Sequence, residues 1–219
     1  MRAFLLVSGA ACSLLAACSD GPPQMPADLS DAAQFCIAAK MLSIRDADGR
    51  QRGDRMTISA AAQTHAYPMI AAARLEDFDR FLDDGDLVKS DQVVSYGNRF
   101  DPSEFDPLVS ECDAHFGISG DLSLPTLPTD DLEAIYSCYA ASHWTMTLAA
   151  QSLYDDEGQG PHFRRLFERM STRKDLAVAQ RGGIGDAEGE ALTLEGLRHA
   201  FSQGNIMNYV AACDAKFRT

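Results

Sequence analysis

The sequence predicts an all-α fold made of two tandem, duplicated small helical bundles, each stapled by one disulfide. Three observations carry that expectation. Alanine is abundant, β-branched runs are scarce and apolar residues recur at a period near 3.6, a pattern of helix rather than strand. Four cysteines fall at paired spacings: Cys36 and Cys112 are 76 residues apart, Cys138 and Cys213 are 75 apart. Each second cysteine opens nearly the same phrase, Cys112-Asp113-Ala114-His115-Phe116 and then, 101 residues later, Cys213-Asp214-Ala215-Lys216-Phe217. Four cysteines admit three pairings. The equal loops select Cys36–Cys112 and Cys138–Cys213, as expected of an exported chain.

Residues 1–17 predict a signal peptide. Arg2 precedes the apolar run "FLLVSGAACSLLAA" at 4–17, which is too short for a membrane-spanning helix. The run ends in Leu15-Ala16-Ala17-Cys18, which resembles the lipobox of bacterial lipoproteins. Cys12 fits less well, because Gly9 stands where the leucine belongs. The resemblance covers only this segment. It implies that Cys18 is lipidated and becomes the first mature residue. Ser19, rather than Asp, follows it, which by resemblance to enteric lipoproteins implies the periplasmic face of the outer membrane. Residues 18–29 form the lipidated Cys and a flexible tether rich in proline. Acyl chains contribute roughly 0.8 kcal/mol per buried CH₂, enough to anchor a chain that has no spanning helix.

The first unit, 30–118, is expected to hold a helix over 30–45, a second over 57–83 broken near Pro68, and a third over 91–99. A further helix starts at Asp101-Pro102-Ser103-Glu104, where Asp caps and Pro takes the first position. Residues 119–128 are a linker with two prolines. The second unit, 129–219, repeats the plan: a helix capped near Asp130 and running to 154, then 161–172, 174–180, 193–203 and 205–217 with Asn205 as cap. Val93, Tyr96 and Phe100 pair with Leu194, Leu197 and Phe201, both sets at helical spacing. In each CDAxF phrase the Cys and Phe share a face and belong to the core, whereas the Asp, one step round, faces solvent.

A formal net charge of −13 makes a surface that repels phosphate backbones, so nucleic acid is not an expected partner. The expected partners are the membrane, through the lipid anchor, and an envelope protein with a basic surface. The run "EDFDRFLDDGD" at 76–86 holds six carboxylates but lacks the ligand register of a calcium loop, and reads as a solvated face. "GGIGDAEG" at 182–189 lacks the Lys-Ser/Thr of a phosphate loop and reads as a flexible loop. Glu195 and His199 lie four apart on one helix, with no second close pair to complete a metal site. Tyr136, Tyr139 and His143 share a helical face, with Trp144 adjacent; this aromatic stripe is the candidate ligand pocket. No catalytic motif, metal-ligand set or cofactor fingerprint is visible. The expected role is a membrane-anchored binding or scaffolding module of the bacterial envelope. An envelope hydrolase, or a small-ligand carrier using a cleft between the two units, is the alternative.

Overall fold

The computed structural model describes residues 23–49, 55–75, 88–118, 125–150, 154–155, 158–203 and 205–218. The signal peptide, Cys18 and the acidic run at 76–86 lie outside them. The described residues are mostly helical. The helices are α1 (Leu29–Ala47), α2 (Ile58–Arg74), α3 (Ser90–Gly97), α4 (Phe105–Phe116), α5 (Asp131–Ala150), α6 (Gly160–Gln180), α7 (Asp186–Ser202) and α8 (Ile206–Lys216). The only pairing of strands among them joins β1 (Met56–Thr57) to β2 (Tyr154–Asp155), parallel, with Met56 opposite Tyr154. None of the described helices is long and apolar enough to cross a membrane.

The helix starts follow from side-chain acceptors that satisfy free backbone N–H groups. Asp28 accepts from the Asp31 N–H at 2.9 Å, and Thr57 from the Ala60 N–H at 3.1 Å. Asp130 accepts from the N–H groups of Leu132 and Glu133, and Asn205 from that of Met207. Asp101 and Glu104 form a reciprocal capping box, here on a short 3₁₀ turn at Pro102–Glu104 that leads into α4. Helix α4 stops at Gly117, whose φ of 66° is a left-handed conformation that glycine adopts without penalty.

Both disulfides are present, Cys36–Cys112 and Cys138–Cys213, each with a Cα–Cα distance of 5.5 Å. Each joins the first helix of its half to the last, α1 to α4 and α5 to α8. Within each half the first helix is also the hub: α1 packs on α2, α3 and α4, and α5 packs on α6, α7 and α8. The halves share one continuous core. Helix α2 makes this possible. Its residues 66–72, Ala-Tyr-Pro-Met-Ile-Ala-Ala, are buried without interruption, so it hides every face rather than one stripe. It packs on α1 on one side and on α5, α7 and α8 on the other. The junction of the halves is therefore filled along α2.

Several boundaries differ from expectation. Pro68 does not break α2; the helix runs through it to Arg74, because buried packing on all sides outweighs one missing backbone bond. The two helices expected over 161–172 and 174–180 are one, α6. Thr172 donates its hydroxyl to the Glu168 carbonyl at 3.0 Å, which satisfies it inside the helix instead of ending it. The glycine loop is shorter than 182–189. Gly182 and Gly183 turn the chain at φ 81° and 103°, but α7 starts at Asp186. Acidic Asp186 and Glu188 in its first turn favour the helix dipole there. Of the helix expected to reach 154, residues 151–153 lie outside the described residues, and Tyr154 is drawn into the β pairing instead.

Candidate functional site

The two aspartates of the repeated phrase do not face solvent freely as expected. Asp113 on α4 accepts a 2.6 Å hydrogen bond from the Tyr67 hydroxyl of α2, and Lys40 of α1 lies 3.4 Å away. Asp214 on α8 pairs with Arg169 of α6 and, at 3.4 Å, with Arg218. Thus in each half the Asp after the cysteine takes a donor from the second helix. The reason is steric as well as chemical: the adjacent disulfide pulls the last helix against the bundle, so the next position round is half-buried and needs a partner. Burial, helped by the nearby Asp113 charge, pushes the Tyr67 hydroxyl pKa up. Burial alone would raise Asp214, but the bond and charge of Arg169 hold its carboxyl below the usual range. Phe116 and Phe217 are buried as expected, each with an arginine of the second helix over its ring, Arg74 at 5.7 Å and Arg173 at 5.4 Å.

The second disulfide borders a buried polar knot. Ser137 donates to the Gly196 carbonyl at 2.7 Å and shares a 2.6 Å hydrogen bond with the Tyr209 hydroxyl. Burial, only partly offset by Ser137, pushes the Tyr209 pKa up to about 12. Gly196 is required here. A Cβ at this position would stand 2.6 Å from the Ser137 Cα, so α5 and α7 approach at backbone distance.

That close approach shapes an open cleft of about 720 Å³ beside it, bounded by α5, α6 and α7. Three of the four expected pocket residues line it. Tyr136 is buried at its base, and Tyr139 and His143 stand above, stacked 6.1 Å apart. Phe167 of α6 backs both rings, at 5.6 and 5.1 Å. Trp144 is elsewhere. It lies on the core side of α5, edge-on to Phe201 at 5.1 Å and to His65 of α2 at 6.1 Å. One step along a helix turns a side chain by about 100°, which is why adjacency in sequence does not bring it into the cleft.

The opposite wall is acidic. Asp186 and Glu190 lie one turn apart on α7, and Asp175 comes from α6. Asp186 and Glu190 make no ion pair with any described residue. Lys174 sits 4.6 Å above the Tyr139 ring and 3.5 Å from Asp175, so the chain places one of its own cations on the aromatic face. Burial lowers the His143 pKa, which keeps its ring neutral at neutral pH. These acids were not in the sequence expectation. The signal was "GDAEGE" after the turn, hidden because the segment reads as loop rather than as the first turn of α7.

Glu195 and His199 do not act together. Glu195 binds Arg198 at 2.6 Å, while His199 meets the Thr126 carbonyl at 3.2 Å and packs against Tyr209. No cluster of three metal-ligating side chains occurs among the described residues. Large exposed apolar side chains there, Leu75, Val94 and Leu176, are scattered over the end of α2, α3 and α6. No protein-family model, no curated protein and no solved structure matches this sequence.

Proposed function

We infer that this chain is a lipid-anchored lipoprotein of the bacterial envelope, held through Cys18 at the periplasmic face of the outer membrane, whose helical body binds a basic segment of another envelope protein. The observation that carries the binding reading is the cleft between α5 and α7, with an aromatic wall facing two unpaired carboxylates, Asp186 and Glu190. A lysine or arginine side chain entering it meets ring faces on one side and negative charge on the other. Lys174 over Tyr139 is an internal example of the same contact. The overall charge of −13 steers a basic partner toward this surface. The lipobox-like Leu15-Ala16-Ala17-Cys18 supports the anchor, and the two disulfides support an oxidising compartment.

The test is titration of the full chain carrying Cys18→Ser with a lysine-rich decapeptide. Saturable one-to-one binding is expected, weakening with added salt, and at least tenfold weaker in the Asp186→Asn, Glu190→Gln double variant. Equal binding by that variant removes the cleft from the reading. The anchor is tested apart from it: Cys18→Ala is expected to release the protein from membranes into the soluble periplasmic fraction, and retention in the membrane fraction refutes lipidation at Cys18.

The two halves are also read as a tandem duplication. Supporting this are the matched hub helices, the Tyr67–Asp113 and Arg169–Asp214 contacts, and the arginines over Phe116 and Phe217. Tyr67 and Arg169 lie 102 residues apart, the same offset as Cys36 and Cys138. Superposing α1, α2 and α4 on α5, α6 and α8 should bring Asp113 onto Asp214; a displacement of a helical turn argues against common origin.

A further inference from the structure

The first half carries a groove of different chemistry, between α1 and α3. It consists of two adjoining cavities of about 290 and 380 Å³. Met41, Val93 and Val94 border both cavities, Leu42 and Val88 extend the apolar walls, and Arg45 lies between them. Arg45 is an unusual neighbour for such walls. Its Nε is buried and makes no hydrogen bond, although a guanidinium is a permanently charged, five-donor group. A desolvated charged donor without an acceptor is costly to the fold, so its retention there points to an acceptor supplied from outside.

The surroundings narrow that acceptor. The described residues bordering the larger cavity include no carboxylate, and Asp46 at the smaller one is exposed. The Thr64 hydroxyl donates to the Ala61 carbonyl at 2.8 Å and does not accept from the Arg45 Nε. His65, at the inner end, contributes a polar ring without charge, since burial holds its pKa at about 4. Among the described residues bordering the groove, one cation therefore stands against largely apolar walls. It matches a ligand with a single negative head and a hydrocarbon tail. A phosphate monoester, with nearly two charges at neutral pH, would leave one uncompensated.

We propose that the groove between α1 and α3 binds a medium-chain fatty acid, its carboxylate on Arg45 and its acyl chain along Met41, Val93 and Val94. The site lies in the opposite half from the acidic cleft and does not depend on that reading. The test uses the oxidised full chain carrying Cys18→Ser, so that no acyl chain of its own competes. It is titrated calorimetrically with dodecanoate, dodecanol and dodecyl phosphate, each below its solubility limit or micelle concentration. Dodecanoate is expected to saturate one site. Arg45→Met should weaken it at least tenfold while changing dodecanol less than threefold, and Arg45→Lys should retain part of the affinity. Val94 is half-exposed, so Val94→Asp leaves the fold intact and should repel dodecanoate by a similar factor; it decides the matter if Arg45→Met does not fold. Absence of saturable dodecanoate binding, equal affinity in Arg45→Met or in Val94→Asp, or tighter binding of dodecyl phosphate overturns the proposal.

Discussion

The groove between α1 and α3 and the cleft between α5 and α7 lie at matching places in the two halves, each beside the hub helix and the third helix. Ile37 and Met41 border the first where Tyr139 and His143 border the second. The first has carbon walls and a lone cation, Arg45. The second has ring walls and a pair of unpaired acids, Asp186 and Glu190. One arrangement of helices thus presents two chemistries of opposite sign. The architecture sets where a cleft opens; the side chains at a few inward-tilted positions set what it can hold.

The difference extends to how closely the walls approach. In the second half Gly196 lets α7 touch the α5 backbone, whereas Gly97 of α3 leaves ordinary space, the nearest atom to an added Cβ being the Leu42 Cδ1 at 3.4 Å. The first groove consequently has a softer, aliphatic boundary, and the second a rigid one backed by the Ser137–Gly196–Tyr209 hydrogen bonds.

Experiments that break or sharpen this contrast run from large effects to small. The staples should behave alike, because their loops are nearly equal. Replacing Cys36 and Cys112 by alanine, or Cys138 and Cys213, should each cost about 4 kcal/mol by loop entropy, read as a shift in the denaturant midpoint. A marked inequality would mean that one half retains structure when unfolded.

The glycines should not behave alike. Gly196→Ala forces backbone atoms apart and is expected to cost about 3 kcal/mol, and Gly97→Ala under about 1 kcal/mol, measured in the same way.

Acid should separate the halves too. An unfolded histidine takes up its proton near pH 6.5, whereas buried His65 does so only at about 4. The unfolded state therefore binds more protons between those values. The associated stability is complete above about pH 6.5 and is lost as pH falls toward 4, by about 3 kcal/mol. His65→Gln should flatten that part of the stability profile, and His143→Gln, whose ring is far more exposed, should flatten it less.

Last are the aspartate anchors. Arg169→Met removes a charged partner of Asp214 and should cost roughly 2 kcal/mol, against roughly 1 kcal/mol for Tyr67→Phe, where Lys40 remains beside Asp113. Equal losses would show that charge adds nothing to the second anchor.

Helical class, the paired cysteines, the caps at Asp101, Asp130 and Asn205 and the burial of Phe116 and Phe217 were all legible in the chain, because each rests on local spacing or local chemistry. So was the stripe Tyr136, Tyr139 and His143, which a period near 3.6 places on one face. What was not legible depends on distant neighbours. Whether Pro68 breaks a helix depends on how many sides of that helix are buried, and α2 is buried by both halves. Whether Asp113 and Asp214 meet water depends on Tyr67 and Arg169, forty-five or more residues away in sequence. By itself the sequence determined the helical class, most helix starts, the two staples and the side chains offered on each face. Only the tertiary structure decided that α2 joins the halves in one core, that Trp144 leaves the cleft, and that Arg45 stands without a partner among apolar walls. Those outcomes depend on which surfaces exclude water together, and local propensity carries no record of that.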